Sequence, residues 1–316
     1  MRAVWFVVSL SVAGCGNDGD GRYFSREMFW NKDVSGVTRS PISDQIIGSL
    51  RAAGGWGNSD RFQIDFSLDV LHANSSTPHR TFTPSADFYS PDCDLVDVPV
   101  PEEGNVEGES GYACNGGGDC HLIVFDHNAK RLYEMWRADI GSTFSGGCLA
   151  VWDTAEEYSE ALRGDQCTSA DAAGFPIAPL LFNADEVAAG AIDHAIRFTL
   201  PNDRVQRGFV RPATHATDTS GTAGAPYYGV HLRLRADYPV EALPSAGAKV
   251  VARALQTYGM YHADGGQIAL TAQTDRYTTA KWDTALGSLD LRALAVEDFE
   301  VIDHGAMIKL AGDCTR

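Results

Sequence analysis

A short segment, residues 183–215, concentrates side chains that could carry out acid–base chemistry. An acidic turn opens it, and two predicted strands follow in which polar and apolar residues alternate. Histidine exchanges protons near neutral pH and arginine binds anionic groups, so this arrangement predicts a reaction centre or an anion site. The candidates for catalysis here are Glu186, His194, Arg197, Arg211 and His215, with Asp193 as a candidate for substrate binding.

Each of these residues also has a purely structural interpretation. Asn183 and Glu186 have the spacing of a helix capping box, in which each side chain bonds the other residue's backbone N–H. His194 falls on an otherwise apolar strand face, where a histidine is more often a hydrogen-bonded core residue than a catalyst. Asp193 and Arg197 fall on the opposite face, where they would form an ordinary ion pair.

A second source of polar groups is the predicted strand at residues 61–72, the clearest strand in the chain. Apolar residues alternate with polar ones over its whole length, so one face meets a core and the other meets water or a ligand. Asp65 is therefore a candidate catalytic carboxylate, and Gln63 and Asp69 are candidates for binding sugar hydroxyls. A solvated sheet face is the alternative interpretation.

Residues 121–126 and 131–136 predict a β-hairpin with a short loop. Glu134 and Trp136 share one side of its second strand, and a carboxylate beside an indole would suit a sugar ring, which stacks on aromatic side chains. Glu134 is thus a candidate for catalysis, and His121 and Trp136 are candidates for substrate binding. The alternative is a core tryptophan with a glutamate at its rim.

Neither a cofactor nor a metal is predicted. The sequence contains no G-x-S-x-G elbow, no H-E-x-x-H helix and no phosphate-binding loop, so serine acyl transfer, zincin proteolysis and nucleotide hydrolysis lack their usual signals. A metal bound by His121, His194 and His215 is a less favoured hypothesis, because only the fold could bring these distant residues together.

The chain begins with a short apolar run that has the length of an export signal rather than of a membrane span. Residues 12–15, VAGC, resemble the lipobox of bacterial lipoproteins. The resemblance implies a signal peptide at residues 1–14, lipidation of Cys15, a tether at residues 15–23 and attachment to the outer membrane or cell surface. An ordinary signal peptide with a chance cysteine is the alternative.

Six cysteines remain once Cys15 is set aside, and an even number in an exported chain predicts three disulfides. Nearness in sequence favours the pairs Cys114–Cys120 and Cys148–Cys167, which would leave Cys93 to pair with Cys314. Fifteen pairings of six cysteines are possible, so the sequence leaves the choice open.

Composition narrows the class of partner. The net charge is −17 and the lysines and arginines are scattered, which argues against nucleic acid as a ligand. Strand patterns outnumber helix patterns and no β–α–β rhythm appears. We therefore expect a mainly β fold at residues 24–316, an antiparallel β-sandwich or jelly roll like that of the concanavalin-type lectins, with a few short helices.

Several segments in order, among them GGWGNSDRFQIDFS, SADAAGFPIAP, DEVAAGAIDHAIRF and YGMYHADGG, resemble a group of exported proteins of high-GC bacteria. The resemblance spans roughly residues 55–300 and implies one exported domain. It supplies no catalytic residues, because no settled activity is associated with the group.

The features together predict an exported enzyme that cleaves a polysaccharide. A hydrolase would need two carboxylates about 5–10 Å apart. A lyase acting on a uronic acid would need arginine or histidine to neutralise the sugar carboxylate, together with a base. The alternative is a surface lipoprotein, monomeric like the enzyme, that binds a glycan or a partner without catalysis.

Overall fold

The computed structural model describes residues 23–302 and 305–316. The predicted signal peptide, lipidation of Cys15 and almost all of the tether lie outside the described residues. Strand outweighs helix, so the prediction of a mainly β fold with a few short helices is confirmed. No helix in the described part of the chain has the length and apolar character needed to cross a membrane.

Fifteen strands are present in the described residues, several of them only two residues long. In chain order they are β1 (Ile64–Leu68), β2 (Leu71–Ala73), β3 (His79–Arg80), β4 (Thr83–Pro84), β5 (Val98–Pro99), β6 (Leu122–Asp126), β7 (Arg131–Met135), β8 (Asp139–Ile140), β9 (Phe144–Gly146), β10 (Leu149–Asp153), β11 (Ile196–Leu200), β12 (His231–Leu234), β13 (Met260–Gly265), β14 (Leu270–Gln273) and β15 (Phe299–Val301).

The largest sheet has six strands in the order β1-β14-β11-β13-β12-β15. It mixes directions: β1 runs parallel to β14 and β11 parallel to β13, whereas β12 runs antiparallel to both of its neighbours. A four-stranded sheet, β10-β7-β6-β2, also contains one parallel pair. The prediction of a wholly antiparallel fold is therefore wrong, because connections longer than a hairpin return the chain in the same direction.

A β-bulge in the largest sheet redirects one side chain. Phe198 pairs with His262, but Thr199 pairs with Asp264, so two residues of β11 match three of β13. In a regular strand Asp264 would share a face with His262, because side chains alternate with a period of two. The extra residue instead brings Asp264 to the face that carries Arg197 and Thr199.

The α-helices are short and lie mainly against the sheets. They are α1 (Ser43–Ala52), α2 (Gly57–Asp60), α3 (Ala184–Ala189), α4 (Ala246–Thr257) and α5 (Trp282–Ala285). In α4 the apolar residues recur at helical spacing, and Val251 and Leu255 are fully buried. Ser245 accepts a hydrogen bond from the N–H of Ala248 and so caps its N-terminus.

Five single turns of 3₁₀-helix join these elements, at Phe29–Asn31, Ala178–Leu180, Asn202–Arg204, Val240–Ala242 and Val296–Asp298. The described residues contain two buried apolar clusters. The larger lies around the six-stranded sheet, and the smaller lies between the hairpin β6–β7 and the loops of residues 82–106.

Three disulfides join Cys93 to Cys148, Cys114 to Cys120 and Cys167 to Cys314. The prediction of three bonds and of the Cys114–Cys120 pair is confirmed, but the other two predicted pairs are wrong. Pairing follows distance in space, and Cys167 meets the C-terminal tail across 147 residues. Three disulfides indicate an oxidising, extracytoplasmic compartment.

Some predicted local elements differ from the structure. Residues 210–215 form a turn with a cis Arg211–Pro212 bond, not a strand. The hairpin β6–β7 is confirmed, as is the capping box of Asn183 and Glu186 at α3.

Candidate functional site

A cleft of about 560 Å³ opens beside the carboxyl ends of the parallel pair β11 and β13. Parallel strands end at the same edge of a sheet. Asn202, which follows β11, therefore lies close to Asp264 and Gly265, which end β13. Loops from other parts of the chain complete the walls with Trp136, which follows β7, and with residues near 90, 168, 216 and 312. A volume of this size suits a small ligand or a few units of a polymer.

Asp264 is the carboxyl group at the base of this cleft. About a quarter of its side chain is exposed, and Oδ1 accepts a hydrogen bond of 2.7 Å from the N–H of Gly265. Oδ2 lies 3.7 Å from the Arg197 guanidinium, which is too far for a strong hydrogen bond. Asp264 is therefore close enough to be affected by the charge of Arg197 but forms no hydrogen bond with it.

Arg197 is committed to a different carboxylate. Its Nε and Nη2 donate to Oδ2 of Asp171 at 3.1 and 2.8 Å, and its Nη1 donates to the hydroxyl of Thr271 at 3.0 Å. Arg197 and Asp171 are both buried, so this pair is shielded from solvent. One guanidinium thus lies beside two carboxyl groups and directly neutralises only one of them.

These contacts favour the protonated form of Asp264. Burial, and then repulsion from Asp171, raises the pKa of Asp264 to about 7, against the attraction of Arg197. Burial also raises the pKa of Asp171, but its two hydrogen bonds from Arg197 stabilise the charged form. We therefore assign the shared proton to Asp264, the partner with the weaker contact and the exposed oxygen.

His215 also lines the cleft, and its pKa is shifted in the opposite direction from that of Asp264. Burial lowers its pKa below the ordinary 6.5, against the carbonyl of Ala172 and the carboxylate of Asp92. Its Nδ1 lies 2.9 Å from the carbonyl oxygen of Ala172, so Nδ1 carries the proton and donates it. The ring is then neutral near pH 7 with an unprotonated Nε2, which can accept a proton.

Aromatic side chains and further carboxylates complete the cleft. Trp136 and Tyr89 contribute ring surface, whereas the ring of Tyr228 is buried, and the indole N–H of Trp136 donates to Oδ1 of Asp119 at 3.1 Å. Asp92 lies on the same lining and accepts from the N–H of Thr168. Among the described residues that line the cleft there is no lysine and no arginine.

Two of the predicted site residues, His215 and Trp136, line the cleft, and Arg197 lies directly behind it. Arg197 donates hydrogen bonds to Asp171 and Thr271. It therefore affects the pKa of Asp264 rather than contacting a ligand. Asp193 is exposed and does not belong to the lining.

The predicted catalytic residues Glu134, Glu186 and His194 serve the interior of the fold. Glu134 is fully buried and accepts from the indole of Trp152 and from the backbone N–H groups of Ile177 and Ala178. Glu186 caps α3, and its Oε1 lies 3.3 Å from Nε2 of His194. Neither carboxylate lines the cleft.

The other predicted polar residues form separate contacts. Arg211 pairs with Asp165, and Asp69 accepts from Asn105 and Thr274 in a buried group. Gln63 accepts from Asn58. Asp65 is half-buried, and burial raises its pKa, as does repulsion from Glu107.

His121 forms a close ion pair with Glu107, with 2.6 Å between Nδ1 and Oε2. Burial alone would discharge the imidazole, but the glutamate raises its pKa to about 9. Burial likewise opposes the charge of Glu107, yet His121 lowers its pKa to about 2. Both groups are therefore charged across the neutral range, which makes this a structural pair and not a proton-transfer pair.

Sequence reasoning missed Asp264, Asp171, Asp119 and Asp92. One local signal was available for Asp264, which stands before two glycines at the end of a strand, a place where a ligand can approach the backbone closely. The other three stand in irregular loops, where no periodicity indicates which way a side chain points.

No protein-family model, no curated protein and no solved structure matches this chain. Its function is therefore argued from the chemistry of the cleft.

Proposed function

We propose that the cleft is the active site of an exported enzyme that hydrolyses glycosidic bonds in a polysaccharide. One observation carries the proposal. A carboxyl group with a raised pKa and an imidazole with a lowered pKa line the same aromatic cleft. Groups whose environments move their pKa values apart are the usual acid and base of one reaction.

The roles follow from the protonation states. Asp264 donates its proton to the glycosidic oxygen as the bond from that oxygen to the anomeric carbon breaks. His215 accepts a proton at Nε2 from the water that attacks the anomeric carbon. The products are two shorter chains, and Asp264 regains its proton from solvent as His215 releases one.

Aromatic rings supply the binding surface that such a reaction needs. Trp136 and Tyr89 present ring faces on which the apolar face of a sugar can stack. Asp119 and Asn202 add polar groups for the hydroxyls. The same features would also serve a glycan-binding surface protein without catalysis, which is the second candidate function.

The charge of the lining favours a hydrolase over a lyase. A lyase that acts on a uronic acid needs a cation close to the sugar carboxylate. Arg197 is buried against Asp171, Arg211 is paired with Asp165, and the cleft lining itself carries carboxylates. A polyuronate would meet repulsion here.

Three further features belong to this proposal. Cys15 is lipidated and anchors the protein at the outer membrane or cell surface, which mass spectrometry of the N-terminal peptide from a native host would test. The protein acts as a monomer and binds no nucleic acid. A β-sandwich or jelly-roll packing of the larger sheets remains a prediction.

Turnover on a panel of polysaccharides tests the proposed function. The chain from Arg22 onward, made in an oxidising compartment, would be incubated with neutral, amine-bearing and uronic-acid polymers. New reducing ends and ultraviolet absorbance would be followed together. We expect reducing ends without absorbance, which indicates hydrolysis. Absorbance of unsaturated products would contradict the hydrolase in favour of a lyase, and inactivity of the folded protein on the whole panel would favour the binding protein.

A further inference from the structure

We infer that the substrate is a polysaccharide whose sugars carry free amino groups, and that Asp119 and Asp92 receive its ammonium groups. This inference rests on the proposed function, because it names the class of substrate for the same cleft. It is carried by the position and the partners of the ionisable groups on the cleft wall.

The two carboxylates accept hydrogen bonds from neutral donors. Oδ1 of Asp119 accepts from the indole N–H of Trp136 at 3.1 Å, and Oδ2 of Asp92 accepts from the backbone N–H of Thr168 at 2.9 Å. Within the described residues, no lysine or arginine nitrogen forms an ion pair with either carboxylate. Neither carboxylate therefore has a lysine or arginine partner that a ligand would have to displace.

Two arginines that contact Trp136 and Asp92 have other partners. Arg137 lies over the ring of Trp136, but its guanidinium pairs with Asp87 at 3.4 Å. Arg316 donates to the backbone carbonyl of Asp92 and pairs with the carboxylate of Asp94 at 2.7 Å. These arginines pair with carboxylates outside the cleft lining, and His121, which interacts electrostatically with Asp119, is paired with Glu107.

Indole and carboxylate together form a receptor for an ammonium group. Trp136 and Asp119 are hydrogen-bonded to each other, so an amine on a sugar stacked at Trp136 would meet the ring face and the carboxylate at once. A neutral sugar would gain only the stacking and hydroxyl contacts. The net charge of −17 adds long-range attraction for a polycation and repulsion for a polyanion.

Binding of two matched probes tests the inference. The probes are a hexamer of glucosamine and the same hexamer with every amine acetylated. Their dissociation constants would be measured by calorimetry on the Asp264→Asn variant, so that neither probe is consumed, and on His215→Gln as a second background. We expect the amine hexamer to bind about tenfold more tightly at low salt, with a preference that shrinks as salt rises.

Two substitutions assign the preference to its residues. Asp119→Asn should reduce it by roughly five- to tenfold and Asp92→Asn should reduce it less, because only Asp119 adjoins Trp136. Asp193→Asn, which removes an exposed carboxylate outside the cleft, should leave it unchanged. Circular dichroism would establish that each variant is folded.

Equal affinity for the two hexamers, or tighter binding of the acetylated one, would overturn the inference. The proposed function would still stand if the wild-type protein released reducing ends from a neutral polymer. A tenfold preference for the amine without any turnover would instead retain the ligand class and remove the catalytic role.

Discussion

The protonation state of Asp264 depends on its two neighbours Arg197 and Asp171. Arg197 contacts Asp171 at both ends of its guanidinium but reaches Asp264 only at 3.7 Å. Two carboxyl groups beside one cation cannot both ionise easily, so a proton remains on one of them near neutral pH. Asp264 holds it because Asp171 already has the stronger contacts.

The pH dependence of turnover follows from these pKa shifts. Catalysis needs Asp264 protonated, so the rate should fall as pH rises through its raised pKa of about 7. Catalysis also needs His215 neutral, so the rate should fall as pH drops through its pKa below 6.5. We expect a bell-shaped profile of kcat/KM with its maximum near pH 6–7.

Initial rates between pH 4 and pH 9 measure this profile, with Asp193→Asn as a control that should reproduce the wild-type curve. A rate that keeps rising above pH 8 would show that no group with the properties of Asp264 has to be protonated.

Glu134 illustrates how a carboxylate can be essential to the fold without belonging to the site. Burial raises its pKa to about 7, and three N–H donors surround it. Glu134→Gln turns one acceptor into a donor facing those N–H groups, so we expect a loss of about 1–3 kcal/mol in the free energy of unfolding. At a temperature where the variant is folded, kcat should stay within about twofold of wild type.

Chemical denaturation and steady-state kinetics on the same preparation measure both effects. A fall in kcat of a hundredfold or more in the folded Glu134→Gln protein would place this residue in the reaction.

At the scale of elements, the bulge between β11 and β13 and the disulfide at the tail shape the cleft. The bulge moves Asp264 onto the face of Arg197, and Cys167–Cys314 fixes the C-terminal tail beside Gln166 and Thr168. Gly312, two residues before Cys314, also lines the cleft. The tail is therefore part of the wall.

Removing that disulfide should weaken both the fold and substrate binding. The double variant Cys167→Ser/Cys314→Ser loses a link across 147 residues, and we expect a loss of about 2–4 kcal/mol in the free energy of unfolding and a raised KM. Cys114→Ser/Cys120→Ser opens a loop of only six residues and should cost roughly half as much stability.

Urea denaturation of the two double variants would measure the difference. An equal loss of stability in both would contradict the chain-entropy argument, and an unchanged KM in Cys167→Ser/Cys314→Ser would remove the tail from the binding wall.

Local sequence patterns predicted the elements that are stabilised by contacts between residues close in sequence. The hairpin β6–β7 has an alternating sequence and a short loop, and α3 has its capping box, so neighbouring residues specify both. Residues 210–215 also alternate, yet they form a turn, because the N–H groups of Thr214 and His215 donate to the carbonyl of the distant Ala173. Such tertiary effects leave no periodic signal.

At the scale of the whole molecule, the cleft is assembled from segments that are far apart in sequence. Asp92, Asp119, His215 and Asp264 come from four different loops or strand ends. The sequence could predict that carboxylates and histidines would meet on a β scaffold, and two of its candidates, His215 and Trp136, line the cleft. It could not select Asp264 over Asp65 or Glu134, because that choice depends on a bulge and on pairing across sheets.

The net charge of the whole molecule also affects which polymers can approach the cleft. Acidic side chains exceed basic ones by 17, and the cleft has the same sign of charge. Under the proposed function, this charge favours an amine-bearing glycan over a polyuronate.

The most direct test of the central claim, that Asp264 is the proton donor of a glycosidase, compares two leaving groups. Asp264→Asn and wild type would be assayed on the best polysaccharide from the panel and on a dinitrophenyl glycoside of the same sugar, whose leaving group needs no proton. The account predicts a loss of about 10²–10⁴-fold on the polysaccharide and less than about tenfold on the activated substrate. An equal loss on both, or no loss on the polysaccharide, would contradict it.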